Sequence, residues 1–175
     1  GSIIKRIEEK DLLLSYPYDD IDTFLDLIKE AAESDKTISI KITIYRLAKH
    51  SKLVEYLKKA CDNGIEVTAL MELKARFDEE NNINYSEELF KAGCNIMYGF
   101  EEYKTHSKLC LITYEDDREN IKYITQIGTG NYNENTSKIY TDFSLMTSNE
   151  EIGLDANDFF KNMSVGKING KYLHL

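Results

Sequence analysis

The clearest alternation in the chain runs from Ile38 to Arg46, where Ile38, Ile40, Ile42 and Ile44 are separated by Ser39, Lys41, Thr43 and Tyr45. A period of two predicts a β-strand that buries one face and presents polar groups on the other. Elsewhere the apolar period switches between two and about 3.6. A strand is expected over Leu12–Ser15. A helix follows over Asp19–Glu33, with Ile21, Phe24, Leu25, Ile28, Ala31 and Ala32 on one face. After the isoleucine strand come a helix over Ser51–Asn63 ended by Gly64 and a strand over Ile65–Leu73. A helix over Asn84–Ala92 stopped by Gly93 and a strand over Cys94–Tyr98 complete a βαβαβ run. The second part changes character. His106–Tyr114 and Ile121–Ile127 flank the acidic turn Glu115–Asn120 as a hairpin, and Gly128-Thr129-Gly130-Asn131 opens a loop. A strand over Ile139–Met146 and a helix over Glu150–Asn162 close the pattern. The expected class is α/β, a mixed β-sheet flanked by α-helices, with no internal repeat and no low-complexity segment.

Composition narrows the picture. With 175 residues, a single Pro and nine Gly, the chain fits one globular domain rather than a disordered or fibrous one. No apolar run approaches the about 20 residues that span a bilayer, and no signal peptide is expected. Asp and Glu number 31 against 22 Lys and Arg, a net charge of −9, which disfavours non-specific nucleic-acid binding. A polyanion would need a local basic cluster. Cys61, Cys94 and Cys110 are odd in number and far apart in sequence, which argues against a disulfide framework or structural zinc and for a reducing, cytoplasmic compartment. Gly1-Ser2 reads as a tag scar, residues 3–163 as the domain, and 164–175 as the start of a linker or strand.

His106-Ser107-Lys108 places an imidazole and an ammonium on one face of a strand. Imidazole is a nucleophile for phosphorus, and Lys108 can stabilise charge on the transferring oxygens. The same spacing also describes an ordinary exposed strand pair. In Gly128-Thr129-Gly130-Asn131-Tyr132-Asn133, small residues admit an anion to the backbone and Asn side chains can orient an imidazole; a tight connection between strands is the plainer reading. Binding sites of open α/β sheets form beyond the carboxyl ends of strands, where Arg46 and Arg76 fall. Their planar forks suit phosphate, and Lys41, Lys74, Lys104 and Lys108 extend the positive charge. Arg76 can equally pair with Asp78, Glu79 or Glu80. Those acids can attract Mg²⁺, or form a solvated turn or helix N-terminus. Cys61 and Cys110 sit in apolar patterns and read as core, and His50 and His174 have no comparable context.

Several segments then act together. Ile40-Lys41-x-Thr43-x-Tyr45-Arg46, the run Glu72-Leu73-Lys74-Ala75-Arg76-Phe77-Asp78-Glu79-Glu80-Asn81-Asn82 and Tyr98-Gly99 occur in that order. Lys104-Thr105-His106-Ser107-Lys108, the glycine-asparagine loop and Tyr140-Thr141-Asp142 follow. The set resembles the polyphosphate kinase family of the phospholipase-D-like superfamily, from about Leu12 to Phe160. The resemblance implies a phospholipase-D-like fold, the first of two C-terminal catalytic halves of a longer enzyme. That enzyme reversibly moves the terminal phosphate of ATP onto polyphosphate through a phosphohistidine. It implies His106 as the phosphorylated residue, supported by Lys108 and Asn131, with Tyr140 at the nucleotide and Lys41, Arg46 and Arg76 at the phosphates. Arg46 and Arg76 match positions assigned to Mg²⁺. A guanidinium is no ligand for a cation, so they are expected to act through phosphate oxygens. ATP or ADP, polyphosphate, the remaining domains of the parent and a homo-oligomer are the implied partners. The wider superfamily usually carries Asp after H-x-K and four intervening residues, where this chain has Thr113, which weighs against a phosphodiesterase. A phospholipase-D-like phosphodiesterase and a non-catalytic interaction module remain the alternatives.

Overall fold

Helices and strands alternate along the chain as α1 (Ile3–Glu9), β1 (Leu12–Tyr16), α2 (Asp22–Glu33), β2 (Thr37–Ile44), α3 (Lys52–Asp62) and β3 (Glu66–Glu72). Then come α4 (Glu79–Lys91), β4 (Asn95–Gly99), β5 (Ser107–Glu115), β6 (Ile121–Thr129), β7 (Asp142–Thr147) and α5 (Glu150–Asn169). The computed structural model describes residues 1–16, 22–44, 51–72, 79–99, 107–129 and 142–169. The seven strands form one sheet in the order β1-β7-β6-β5-β2-β3-β4. Strands β2, β3 and β4 are parallel, as their helical crossovers require, and every other pairing is antiparallel.

Alternation along the strands separates two faces. On one, Ile40, Ile42, Ile44, Val67, Ala69, Cys110, Ile112 and Ile124 are buried in a single core with Phe24, Leu27 and Ile28 of α2, Leu53 and Leu57 of α3, and Leu89 of α4. Each fully buried Val, Leu, Ile or Phe among them contributes roughly 1.5–3 kcal/mol by removal from water. On the other face, Leu70 and Leu111 pack with Ala156, Phe160 and Met163 of α5. Gly64 and Gly93 take left-handed φ of 82° and 103°, which the turns from α3 into β3 and from α4 into β4 require. Across them, Ile65 N–H donates to Ala60 O and Cys94 N–H to Leu89 O, both at 3.0 Å.

Several boundaries and faces depart from expectation. The polar face of β2 is not open to solvent: Ser39 and Thr43 are buried and Lys41 half-buried, because α5 lies over that face. Ile38 is exposed, at a register shift between β2 and β5. Helix α1 was not anticipated. Ser2, read as a scar, accepts from Lys5 N at 3.1 Å as its N-cap, and the Glu30 carboxylate accepts from Ser2 Oγ, Ile3 N and Ile4 N at 2.8, 2.7 and 3.1 Å. Helix α4 begins at Glu79 rather than Asn84. Strand β6 continues through Gly128 and Thr129, which were expected in a loop. Helix α5 runs to Asn169, past its expected end at Asn162. The expected starts at Asp19 and Ile139, and residues 170–175, lie outside the described residues. Among the described residues no helix is long and apolar enough to cross a membrane.

Candidate functional site

The strand directions bring seven chain ends to one end of the sheet. Tyr16, Ile44, Glu72, Gly99 and Thr129 leave there from β1, β2, β3, β4 and β6, and Ser107 and Asp142 enter β5 and β7. The candidate residues adjoin these ends in sequence. His106 precedes Ser107, Arg46 is two residues past Ile44, Arg76 four past Glu72, Asn131 two past Thr129, and Tyr140 two before Asp142. These five, with Lys74 and Lys104, lie outside the described residues. Lys108 and Lys41 are the expected site residues the structure describes.

Lys108 pairs with Gly128, which pairs with Ser144, so the three form one row across β5, β6 and β7 on the face that α1 to α4 cover. Lys108 is only 9% exposed. One step inward the adjacent row holds Cys110, Gln126 and Met146. Gln126 Nε2 donates to Ser144 Oγ at 3.0 Å, both side chains being buried. Buried polar groups persist only when paired, so this end of an otherwise apolar face is built for polar contact. Gly128 is required by space. A Cβ there would stand 2.7 Å from Gln126 Nε2 and 3.0 Å from the Phe143 carbonyl oxygen. Sequence reasoning missed Gln126 and Ser144. Their signal is the break in apolar alternation at Ile124-x-Gln126 and Ser144-x-Met146.

The β2–β5 pairing reaches Ile42 and Cys110, and there the Thr43 hydroxyl takes over. Its Oγ1 accepts from Leu109 N at 2.9 Å and donates to Leu109 O at 3.3 Å. The main chain next to Lys108 is thus held by a side chain where the strands part.

Lys41, expected at the phosphates, lies apart from this group. It pairs with Leu111 on the opposite face of the sheet, and its Nζ donates to Asn157 Oδ1 of α5 at 3.0 Å. Cys110, beside Gln126, has its thiol pushed well above its ordinary pKa by burial and stays protonated at neutral pH, which removes it as a nucleophile. Among the described residues no cluster of His, Cys, Asp and Glu can hold a metal ion. Lys108, Gln126 and Ser144 offer an ammonium, an amide and a hydroxyl, which suit phosphate oxygens better than they suit Mg²⁺.

This mixed sheet between helices has the phospholipase-D-like fold. The chain superposes on Nuc from Salmonella typhimurium, a phospholipase D family member, with a TM-score of 0.65 and 14% identity, covering 91% of this chain and 94% of that one. At that identity the likeness concerns the fold alone. The profile of the polyphosphate kinase C-terminal domain 1 family matches residues 2–168, and the chain belongs to that family. Polyphosphate kinase of Lactiplantibacillus plantarum is 43% identical over 173 residues, 99% of this chain and 24% of that protein. The crystal structure of polyphosphate kinase from Porphyromonas gingivalis superposes with a TM-score of 0.81 at 38% identity, covering 94% of this chain and 27% of that one. The chain spans about a quarter of the length of the curated relatives it matches.

Proposed function

We propose that this chain is the first of two phospholipase-D-like halves of a polyphosphate kinase, which reversibly transfers the terminal phosphate of ATP to polyphosphate through His106. The observation that carries the reading is the buried Lys108 in its polar row, at the end of the sheet where the strands adjoining His106, Arg46, Arg76, Asn131 and Tyr140 all meet. A ring nitrogen of His106 attacks the γ-phosphorus, the bond from phosphorus to the bridging oxygen breaks, and ADP leaves. A terminal polyphosphate oxygen then attacks the phosphorus, the P–N bond breaks, and the imidazole is restored.

Lys108 balances charge on the transferring oxygens, Arg46 and Arg76 grip phosphates, Asn131 orients the imidazole and Tyr140 contacts the nucleotide. Mg²⁺ supplies charge neutralisation when bound, held through phosphate oxygens rather than by the arginines. The parent works in the cytoplasm as a homo-oligomer, its remaining domains closing the site over the sheet end. The chain alone is inactive, because an open half-site neither positions the γ-phosphate nor excludes water.

Product analysis tests this. The parent enzyme is given polyphosphate and ADP, and in parallel a phosphodiester. ATP formation with no diester hydrolysis is expected; hydrolysis without phosphate transfer favours the phosphodiesterase, and neither activity favours an interaction module. Turnover by the 175-residue chain within about tenfold of the parent's would refute the need for a second half.

A further inference from the structure

The fold brings together two cysteines that are separated in sequence. Cys61 lies in the last turn of α3, and Cys94 is the residue between Gly93 and the start of β4. Helices α3 and α4 make successive crossovers to the parallel strands β3 and β4. Both end in left-handed glycines with return hydrogen bonds that fix the chain direction, so each α-to-β turn lies beside the other. The two thiols lie within interaction distance, each perturbing the other's titration, and Cys61 packs against the core cluster that holds Cys94. Cys94 is buried in the main core at 3% exposure, whereas Cys61 packs on that core from outside and is partly open to solvent.

We propose that Cys61 and Cys94 are a reversible redox pair, closed to an intrachain disulfide by a hydroperoxide and reopened by a dithiol. With hydrogen peroxide, the Cys61 thiolate sulfur attacks one oxygen, the O–O bond breaks, sulfenic acid forms and the other oxygen leaves as water. The Cys94 sulfur then attacks the Cys61 sulfur, and the sulfenic oxygen leaves as a second water. Two electrons pass from the thiols to the peroxide, and a dithiol returns them. Burial holds both thiols above their ordinary pKa, so closure is slow at neutral pH and starts at the more open Cys61. The bond would staple α3 to β4 and enclose β3, residues 73–78 and α4 in one loop. It therefore restrains the unit that carries Arg76. The chemistry itself does not depend on phosphate transfer, so it stands or falls separately from that reading.

The native chain is treated with hydrogen peroxide, denatured with N-ethylmaleimide, digested without reductant and read by mass spectrometry. The expected product is a peptide pair joined through Cys61 and Cys94, with Cys110 alkylated, and the link disappears with dithiothreitol. The midpoint of thermal unfolding should rise by roughly 5–10 °C on oxidation and fall back on reduction, since the bond constrains the unfolded chain. Cys61→Ser should show neither change; its position at the core's edge keeps that variant folded, and Cys94→Ala gives a second control. Alkylation of all three cysteines, over-oxidation of Cys61 without a link, or a Cys61–Cys61 dimer would overturn the proposal.

Discussion

Thr43→Val probes the place where β2 and β5 part beside Lys108. Valine keeps the shape, the β-branch and the strand propensity of threonine, so the change isolates the hydroxyl. In the native chain that hydroxyl satisfies Leu109 N–H at 2.9 Å and Leu109 O at 3.3 Å, with Thr43 itself 1% exposed and Leu109 half-buried. An unsatisfied buried donor costs about 1–3 kcal/mol. The partial burial of Leu109 and the extra apolar burial of valine, worth at most about 0.8 kcal/mol per CH₂, hold the net loss to about 1–2 kcal/mol. For a domain of this size each kcal/mol lowers the unfolding midpoint by about 2–4 °C, which gives about 2–8 °C. Urea unfolding followed by circular dichroism reads the loss, with an unchanged slope showing that both end states are intact. Hydrogen exchange at the Leu109 amide should accelerate by about 5- to 30-fold, since 1.4 kcal/mol is a factor of ten. Thr43→Ser retains the hydroxyl and should keep that amide protected. A Thr43→Val chain as stable as the parent, with Leu109 equally protected, would refute the claim that the hydroxyl replaces the ladder.

Other outcomes follow from the same contacts. A Cβ on Gly153 would meet Tyr123 Cβ at 2.4 Å and Cγ at 2.7 Å. Overpacking of about 1–3 kcal/mol should exceed the about 1 kcal/mol that alanine gains in a helix, so Gly153→Ala is expected to lower urea stability; a rise would show that α5 is free to lift from β6. In the parent enzyme, Lys108→Met should reduce turnover by about 10²-fold or more, whereas Lys41→Met, on the far face against Asn157, should lose less than about tenfold. Equal losses with both folds intact would contradict the separation of the two lysines. Burial raises the pKa of the Cys61, Cys94 and Cys110 thiols. A raised folded pKa means stability that is complete below the unfolded thiol value, near 8.5, and lost as pH rises above it. The unfolding midpoint should therefore fall in alkali, less steeply in Cys110→Ala; a flat profile between about pH 8 and 10 would contradict the burial.

The order of elements from β1 to α5 was legible because apolar period and glycine punctuation agree: Gly64 and Gly93 end their helices where the sequence puts them. What escaped has physical reasons. Helix α1 is short and held by Glu30 from α2, a contact between distant residues that no local pattern carries. Alternation in β2 separates two faces but cannot tell solvent from a covering helix, so Lys41 looked open until α5 was placed over it. Gly128 resembles a loop residue by composition, yet it pairs with Lys108 and Ser144 inside β6, with Gln126 and Phe143 close to where a Cβ would stand. Residues 79–84 have few apolar positions, and the acids Glu79 and Glu80 fit a turn as well as a first helical turn. The Cys61–Cys94 contact depends on two crossovers lying side by side, which sequence separation conceals. Of the candidate site, the motif residues adjoin strand ends in sequence, and the sheet order brings those strand ends to one end of the sheet.

Trapping the covalent intermediate tests the central claim most directly. The parent enzyme is incubated briefly with γ-labelled ATP and Mg²⁺, quenched in alkali, where a phosphoramidate survives, and digested for mass spectrometry. Label on His106 that is released in acid and chased into ATP by added ADP is the predicted result, with none in His106→Ala of normal circular dichroism. Polyphosphate synthesis by His106→Ala at an appreciable fraction of the parent's rate, or label confined to another residue, would contradict it.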